Sequence, residues 1–332
     1  MVKTCLIISS KSDIHVDAVI KELLNFDIAP VRLNIETFAI NSSYVYEFDD
    51  EGSLTEQSLR LLDSNKSLGE ASVIWWRKFG EFDRFKISPD ITDTNSIQYC
   101  QKEADAFIHS LPGLYPEAAW VNTWDSIHYS SYKLNQILVA KKLGIKIPKT
   151  IISNSYKKIV NFMDRQDGCI IKPITQHSGF SIDGENYRLY TREITRGVLE
   201  ENKDSIKFSP ILVQEKVIKK HEYRVTIIGN CCFVCQINSQ LIDDREARID
   251  WRLVDPDNVQ HVVSDLPEKY KSKLKLMLKE LKLNFGAFDI VEDIYGELFF
   301  LELNPNGQWY WIEILTGLPM AKEMASLIKN LA

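Results

Sequence analysis

Phe288-Asp289-Ile290-Val291-Glu292-Asp293-Ile294-Tyr295-Gly296-Glu297-Leu298-Phe299-Phe300-Leu301-Glu302-Leu303-Asn304-Pro305-Asn306-Gly307 is the segment that decides how this chain folds. Two runs rich in β-formers flank Ile294-Tyr295-Gly296-Glu297, the composition of a tight reversal. A turn centred between Tyr295 and Gly296 pairs residues whose numbers add to 591, which sets Asp289 opposite Glu302. Asn304 lies two positions beyond Glu302 and returns to the same face of the sheet. A slip of one residue would send the two acids to opposite faces.

Like charges directly opposite on neighbouring strands repel, so a purely structural hairpin avoids them. A hard divalent cation between them reverses the sign, and Mg²⁺ takes carboxylate and amide oxygens together with phosphate. The plain alternative is a half-exposed hairpin with scattered acids, such as Glu292, Asp293 and Glu297 near its tip.

The 332 residues are enough for two or three lobes with their own cores. Hydrophobic and charged contents of 45% and 26% are ordinary for a soluble globular protein. A net charge of −6 offers no global basic field, which argues against a nucleic-acid partner. No secretory segment opens the chain and no apolar run spans a bilayer, so a cytoplasmic protein without membrane contact is expected. Cys5, Cys100, Cys169, Cys231, Cys232 and Cys235 lie mostly in apolar runs and read as reduced thiols. Cys232 and Cys235 have the spacing of half a zinc site, but residues three apart in a strand face opposite ways and no second pair follows.

Along the chain, residues 2–10 read as a strand, 14–25 as a helix and 31–35 as a second strand. A polar hairpin or loop over 42–69, a buried strand over 71–79 and a helix over 96–111 complete a small α/β lobe ending near 115. A linker and helix cover 116–143, the helix running from 130 to 143 and stopping at Gly144. A small α+β lobe follows over 144–213: a strand at 168–172, a polar loop to 185, a strand at 187–191 and a helix over 194–202. The last lobe, 214–332, contains a hairpin turned at Gly229-Asn230, an amphipathic helix over 266–283, the acidic hairpin and a final helix from about 318. Trp309-Tyr310-Trp311 reads as core packing rather than a base-stacking surface.

Four features stand in one order. Lys133 lies on a helix; Ile170-Ile171-Lys172-Pro173 ends a strand; Val213-Gln214-Glu215-Lys216-Val217-Ile218 precedes Glu222; and the Asp289/Glu302/Asn304 hairpin closes the series. There is no GxxxxGK[ST] or Rossmann fingerprint to compete. This order resembles the ATP-grasp superfamily, which implies three lobes with nucleotide bound between the central and C-terminal ones. By that resemblance, Lys133 and Lys172 reach ATP phosphates as compact charges. The backbone of Gln214, Glu215, Lys216, Val217 and Ile218 is the adenine-reading hinge, with Glu215 accepting from the adenine amino group and Glu222 from ribose hydroxyls. Asp289, Glu302 and Asn304 are the Mg²⁺ ligands, and the loop around His177-Ser178-Gly179-Phe180 is the phosphate lid.

Within the superfamily the chain is similar to the microviridin-type, or graspetide, macrocyclases. The similarity rests on Glu222 to Gly229, Ile237-Asn238-Ser239-Gln240, Ile249-Asp250-Trp251-Arg252, Glu302 to Trp309 and Thr316-Gly317-Leu318-Pro319. Trp75-Trp76-Arg77-Lys78 looks like the family's Trp/Arg strand end, with Lys78 where a second Arg is common. The resemblance implies an ATP-dependent ligase that activates Asp or Glu side chains of a ribosomal precursor peptide as acyl phosphates. A Thr or Ser hydroxyl, or a Lys amine, then displaces phosphate to close an ω-ester or ω-amide ring. Arg224 and Arg252 are the candidates for holding the γ-phosphate, the acyl phosphate or the incoming carboxylate, and each has a strand-edge salt bridge as its plainer role. The precursor's leader segment is expected to dock near residues 195–209, and a homodimer is expected. A ligase of amino acids or other small acids, a phosphotransferase on the same scaffold, and a non-catalytic peptide-binding module remain alternatives.

Overall fold

The computed structural model describes residues 3–63, 66–67, 71–77, 86–174, 179–182 and 185–332. The chain divides into two compact units, Met1–Asp125 with Pro319–Ala332, and Ser126–Leu318.

The first unit is built on a four-stranded parallel sheet in the order β2-β1-β6-β7. Its strands are β1 (Lys3–Ser9), β2 (Ile28–Asn34), β6 (Val73–Trp76) and β7 (Ala119–Val121). The sequence Cys5 to Ser9 and all of β6 are buried, as expected for strands covered on both faces. Pro30 is accommodated because β2 lies at the edge. Helix α1 (Ile14–Leu24) starts where Asp13 accepts from the His15 amide, an N-cap. The polar stretch expected as a hairpin or loop forms a three-stranded antiparallel sheet of β3 (Ser42–Phe48), β4 (Leu54–Leu61) and β5 (Lys66–Ser67), entered through a short α2 (Phe38–Asn41). Helix α3 (Thr94–Leu114) sends Phe107 onto the Tyr44 and Phe38 rings of that subdomain. Arg77, at the end of β6, is 3% exposed with its Nε 3.5 Å from Asp13, so it meets an internal carboxylate; Lys78 lies outside the described residues.

The helix expected over 130–143 is two helices, α4 (Trp124–Ser131) and α5 (Lys133–Lys142). The break at Tyr132 has a local cause. The Asn135 and Gln136 side-chain amides donate to the carbonyls of Tyr129 and Ser130, which a continuous helix would have offered to its own N–H groups. A four-stranded antiparallel sheet follows in the order β12-β9-β13-β8. It comprises β8 (Thr150–Ser153), β9 (Cys169–Lys172), β12 (Arg192–Ile194) and β13 (Ile211–Glu215). Helices α6 (Tyr156–Met163), α7 (Arg196–Glu201) and α8 (Lys203–Ile206) close its core through Ile159, Phe162, Leu199 and Ile206. The helix expected from 194 begins at Arg196 because Ile194 still pairs in β12 and Thr195 caps α7. Of the strand expected over 187–191, only 187–188 are extended, as the end of β11 (Glu185–Arg188), which pairs in a hairpin with β10 (Gly179–Ile182); β12 begins after it.

The larger sheet of this unit is antiparallel, in the order β16-β15-β14-β17-β18. Its members are β14 (Lys219–Ile228), β15 (Cys231–Ile237), β16 (His261–Ser264), β17 (Phe285–Asp293) and β18 (Leu298–Asn304). Tyr223, Val225, Ile227, Phe288, Ile290, Phe300 and Leu303 face one core with Leu274, Met277 and Leu278 of α10 (Glu268–Glu280) and Ala140 of α5. Alternation therefore puts Arg224 and Asp289 on the other face. Short helices α9 (Arg245–Ile249) and α11 (Tyr310–Thr316) follow β15 and β18, and α11 was not foreseen in the sequence. The chain then returns to the first unit as α12 (Met320–Leu331), which packs on α1 rather than within a lobe running to residue 332.

The acidic hairpin reaches the expected pairing by a different route. Asp293 accepts from Gly296 N, and Gly296 sits at a φ of +84°, so the turn is centred on Tyr295. The pairs next to it, Glu292–Leu298 and Ile290–Phe300, add to 590 instead of 591. A β-bulge between Asp289 and Ile290 takes up Leu301 and restores Asp289 to Glu302.

Candidate active site

Glu302, Asp289 and Arg224 stand side by side across β18, β17 and β14. The Asp289 carboxylate accepts from Arg224 Nη1 at 2.7 Å, and Arg224 Nη2 donates to the Gln308 carbonyl at 3.1 Å. That second bond needs a close backbone approach at Gly307, where a Cβ would meet Ala287 Cβ at 2.6 Å and Arg224 Nη2 at 2.9 Å. Glu302 lies 3.4 Å from Lys133 Nζ and 3.9 Å from Arg252 Nη1. Lys133, the first residue of α5, also donates to the Pro173 carbonyl at 2.7 Å. Asn304 joins the row two residues on, its Oδ1 accepting from Asn306 N at 3.1 Å in a local turn.

Arg252 is aimed by the buried Asp250, which accepts from its Nε at 2.7 Å and its Nη2 at 2.6 Å. Asp250 also accepts from Thr191 N, just ahead of β12. Among the described residues Lys172 Nζ makes no hydrogen bond or ion pair, although Glu302, Lys133, Lys219 and Arg252 all act on it electrostatically. Burial, reinforced by the three cations and opposed by Glu302, pushes the Lys172 ammonium down to about 8. Burial also raises the Asp289 carboxyl, more than Arg224 lowers it and with Glu302 adding to the rise. Glu302 is lowered despite its burial, because Lys133, Arg252 and Lys172 outweigh it. The cations of the row thus outnumber its two facing carboxylates.

The hinge residues lie where β13 ends. Gln214 is buried and donates to Thr150 Oγ1 at 2.9 Å, while its Oε1 is buried without a partner among the described residues. The Glu215 carboxylate, expected to face an adenine amino group, is engaged by Lys149 N at 2.9 Å and Lys149 Nζ at 3.3 Å. Lys216 pairs with Glu193, and its amide donates to the Gly168 carbonyl. Val217 takes no backbone partner among the described residues, and the neighbouring Ile218 side chain is 63% exposed. Glu222 is buried and accepts from Lys219 Nζ at 2.7 Å and Ser239 Oγ at 2.5 Å. Of the lid, His177 and Ser178 lie outside the described residues, and Gly179 and Phe180 open β10. In the segment expected to dock a leader, Glu200 on α7 bonds Tyr156 and Lys203.

No group of three His, Cys, Asp or Glu side chains able to hold a metal occurs among the described residues. A cation on this row would therefore have two carboxylates and one amide oxygen from the protein. That donor set fits Mg²⁺, which keeps its remaining positions for phosphate and water. Sequence reasoning missed Gln136, Lys219, Ser239 and the Gln308 carbonyl. Gln136 had a usable signal, since it lies one helical turn from Lys133.

The chain has the fold of solved ATP-grasp ligases. No family model and no curated protein matches the sequence. Among solved structures it is similar to the RiPP-associated ATP-grasp ligase of Chryseobacterium gregarium in complex with ADP and a leader and core peptide. That match has a TM-score of 0.86 at 23% identity over 99% of this chain and 97% of that one. The macrocyclase MdnC of Microcystis aeruginosa MRC, bound with precursor peptide MdnA, gives 0.84 at 24% identity over 98% and 99%. The ATP-grasp ligase PsnB, complexed with a minimal precursor, Mg and ADP, gives 0.75 at 16% identity over 98% and 96%.

Proposed function

We propose that this chain is an ATP-dependent ligase that joins Asp or Glu side chains of a ribosomal precursor peptide to Thr or Ser hydroxyls, or to Lys amines, within the same peptide. One observation carries the reading: a facing Asp289–Glu302 pair lies among Lys133, Arg224 and Arg252, with Lys172 beside it and unpaired among the described residues. The three solved structures described above were obtained with precursor or with leader and core peptides, which supports the substrate class.

In this reading Asp289, Glu302 and Asn304 hold Mg²⁺, which when bound supplies neutralisation of the charge on the β- and γ-phosphates. Lys133 and Lys172 take the phosphate oxygens. Val217 offers its free backbone groups to adenine, Gln214, Glu215, Lys216 and Ile218 frame the hinge, and Glu222 faces the ribose hydroxyls. A substrate carboxylate oxygen attacks the γ-phosphorus and ADP leaves, giving an acyl phosphate. A hydroxyl or amine of the peptide then attacks the acyl carbon, loses its proton and displaces phosphate. Arg224 and Arg252 hold the transferred phosphoryl group and the carboxylate, so catalysis is positioning and charge balance. The segment 195–209 docks the leader. The lobes 1–115 with the returning 319–332, 144–213 and 214–318, the segment 116–143 between the first two, a homodimeric assembly and a cytoplasmic setting belong to the same proposal.

Co-expression with candidate precursor peptides, read by mass spectrometry, tests the proposal. The expected product has lost one water per ring, and Glu302→Gln abolishes it. Release of ADP and phosphate with free amino acids, and an unchanged peptide mass with a matched precursor, would instead make the chain a small-acid ligase.

A further inference from the structure

We propose that Gln136 is a positioning residue that stands in for a missing strand and holds the two distal metal ligands in register; this rests on the Mg²⁺ assignment made above. Among the described residues strand β18 ends the five-stranded sheet, with no neighbouring strand on its outer edge. Leu303, between Glu302 and Asn304, is fully buried there. Gln136, itself 1% exposed, bonds both backbone groups of Leu303: Oε1 accepts from Leu303 N at 2.9 Å, and Nε2 donates to Leu303 O at 2.7 Å. The second Nε2 hydrogen goes to Ser130 O at 2.6 Å, so both amide donors are used.

The position matters because of the bulge just before it. Leu301 is the extra residue, so the turn alone no longer dictates which face Glu302 occupies. A clamp on both backbone groups of residue 303 fixes the strand immediately beyond the bulge. The same helix carries Lys133 one turn earlier, with Nζ 3.4 Å from Glu302. Gln136 therefore sets the distance between a phosphate-binding lysine and a metal-binding carboxylate through two hydrogen bonds. Asn is one methylene too short for this, and Glu lacks the donors.

The test is calorimetric titration of ADP into the whole chain at a series of free Mg²⁺ concentrations. Wild type is compared with Gln136→Met, with Gln136→Asn and with Ala140→Gly, which loosens the same helix and keeps the Gln136 amide that bonds Leu303. Half-saturation in Gln136→Met is expected to need about 10- to 100-fold more free Mg²⁺, the usual effect of losing a group that orients metal ligands. Gln136→Asn moves the same way and serves if the Met variant does not fold. Ala140→Gly melts earlier and keeps the wild-type Mg²⁺ requirement. Gln136 variants that melt earlier yet keep that requirement would reduce Gln136 to a structural amide and overturn the inference. Wild type with no Mg²⁺-dependent ADP binding would remove the functional reading itself, and this inference with it.

Discussion

Lys172 is held in its strand by sequence but in its charge state by surroundings. Without nucleotide, its ammonium is protonated below about 8 and neutral above, because burial and three nearby cations oppose the charge. Polyphosphate binds the charged form. Nucleotide affinity should therefore fall as pH rises through about 8, by up to about tenfold per pH unit. ADP titrations across that range check this, and a flat profile would exclude a phosphate role for Lys172. Lys172→Met should weaken binding roughly 10- to 100-fold and erase the pH slope, the loss of one charge-assisted bond. The sign for folding is opposite. A lysine whose folded pKa lies below its unfolded value makes the nucleotide-free chain more stable as pH climbs from about 8 towards about 10.4.

At the level of elements, the acidic hairpin was legible for a reason that was only half right. β-Forming runs around Gly296 announced the hairpin, and the expected opposition of Asp289 and Glu302 is the pairing the strands make. The turn sits half a residue earlier than composition indicated, and the bulge at Leu301 compensates. Nothing in an apolar run such as Leu298 to Leu301 marks which residue will be squeezed out of a ladder. The break before α5 was hidden likewise, because Asn135 and Gln136 act through side-chain bonds that helical periodicity does not register. Lys133 could be placed on its helix and Lys172 at its strand end from spacing alone; Glu215's commitment to Lys149 depends on a partner 66 residues away. The Asn304–Gln308 connection gives a prediction of its own. Gly307→Ala should force this connection off Arg224, costing about 1–3 kcal/mol of stability. It should also lower ligase turnover by at least about tenfold, an effect on the scale of a lost bond to a charged group. Thermal melts and steady-state kinetics read the two effects separately.

For the molecule as a whole, the end of the chain matters to its beginning. Helix α12 buries Met320, Ala321, Met324, Ala325, Leu327 and Ile328 and packs on α1. Each large side chain contributes about 1.5–3 kcal/mol of burial, so their sum rivals the stability of an entire domain. Truncation before Pro319 should strip hydrogen-exchange protection from residues 3–63 while the sheets of Ser126–Leu318 keep theirs. Uniform loss across both units would show that the two fold as one. Acid should weaken the first unit early as well. Asp13 is buried, which alone would raise its pKa, yet His15, Arg77 and Ser9 hold it below the usual carboxylate range. The stability this supplies is complete above the unfolded value of about 3.9 and drains away as pH drops further. Circular dichroism between pH 5 and 2 would follow that loss, and Asp13→Asn should flatten it.

Leu303 and Phe300 on β18 are spoken for from outside the sheet, by Gln136 and by the Lys146 carbonyl. A border whose amides are already taken cannot template a stray segment from another molecule. The rim that carries Glu302 and Asn304 is thereby kept out of intermolecular stacking in the folded chain.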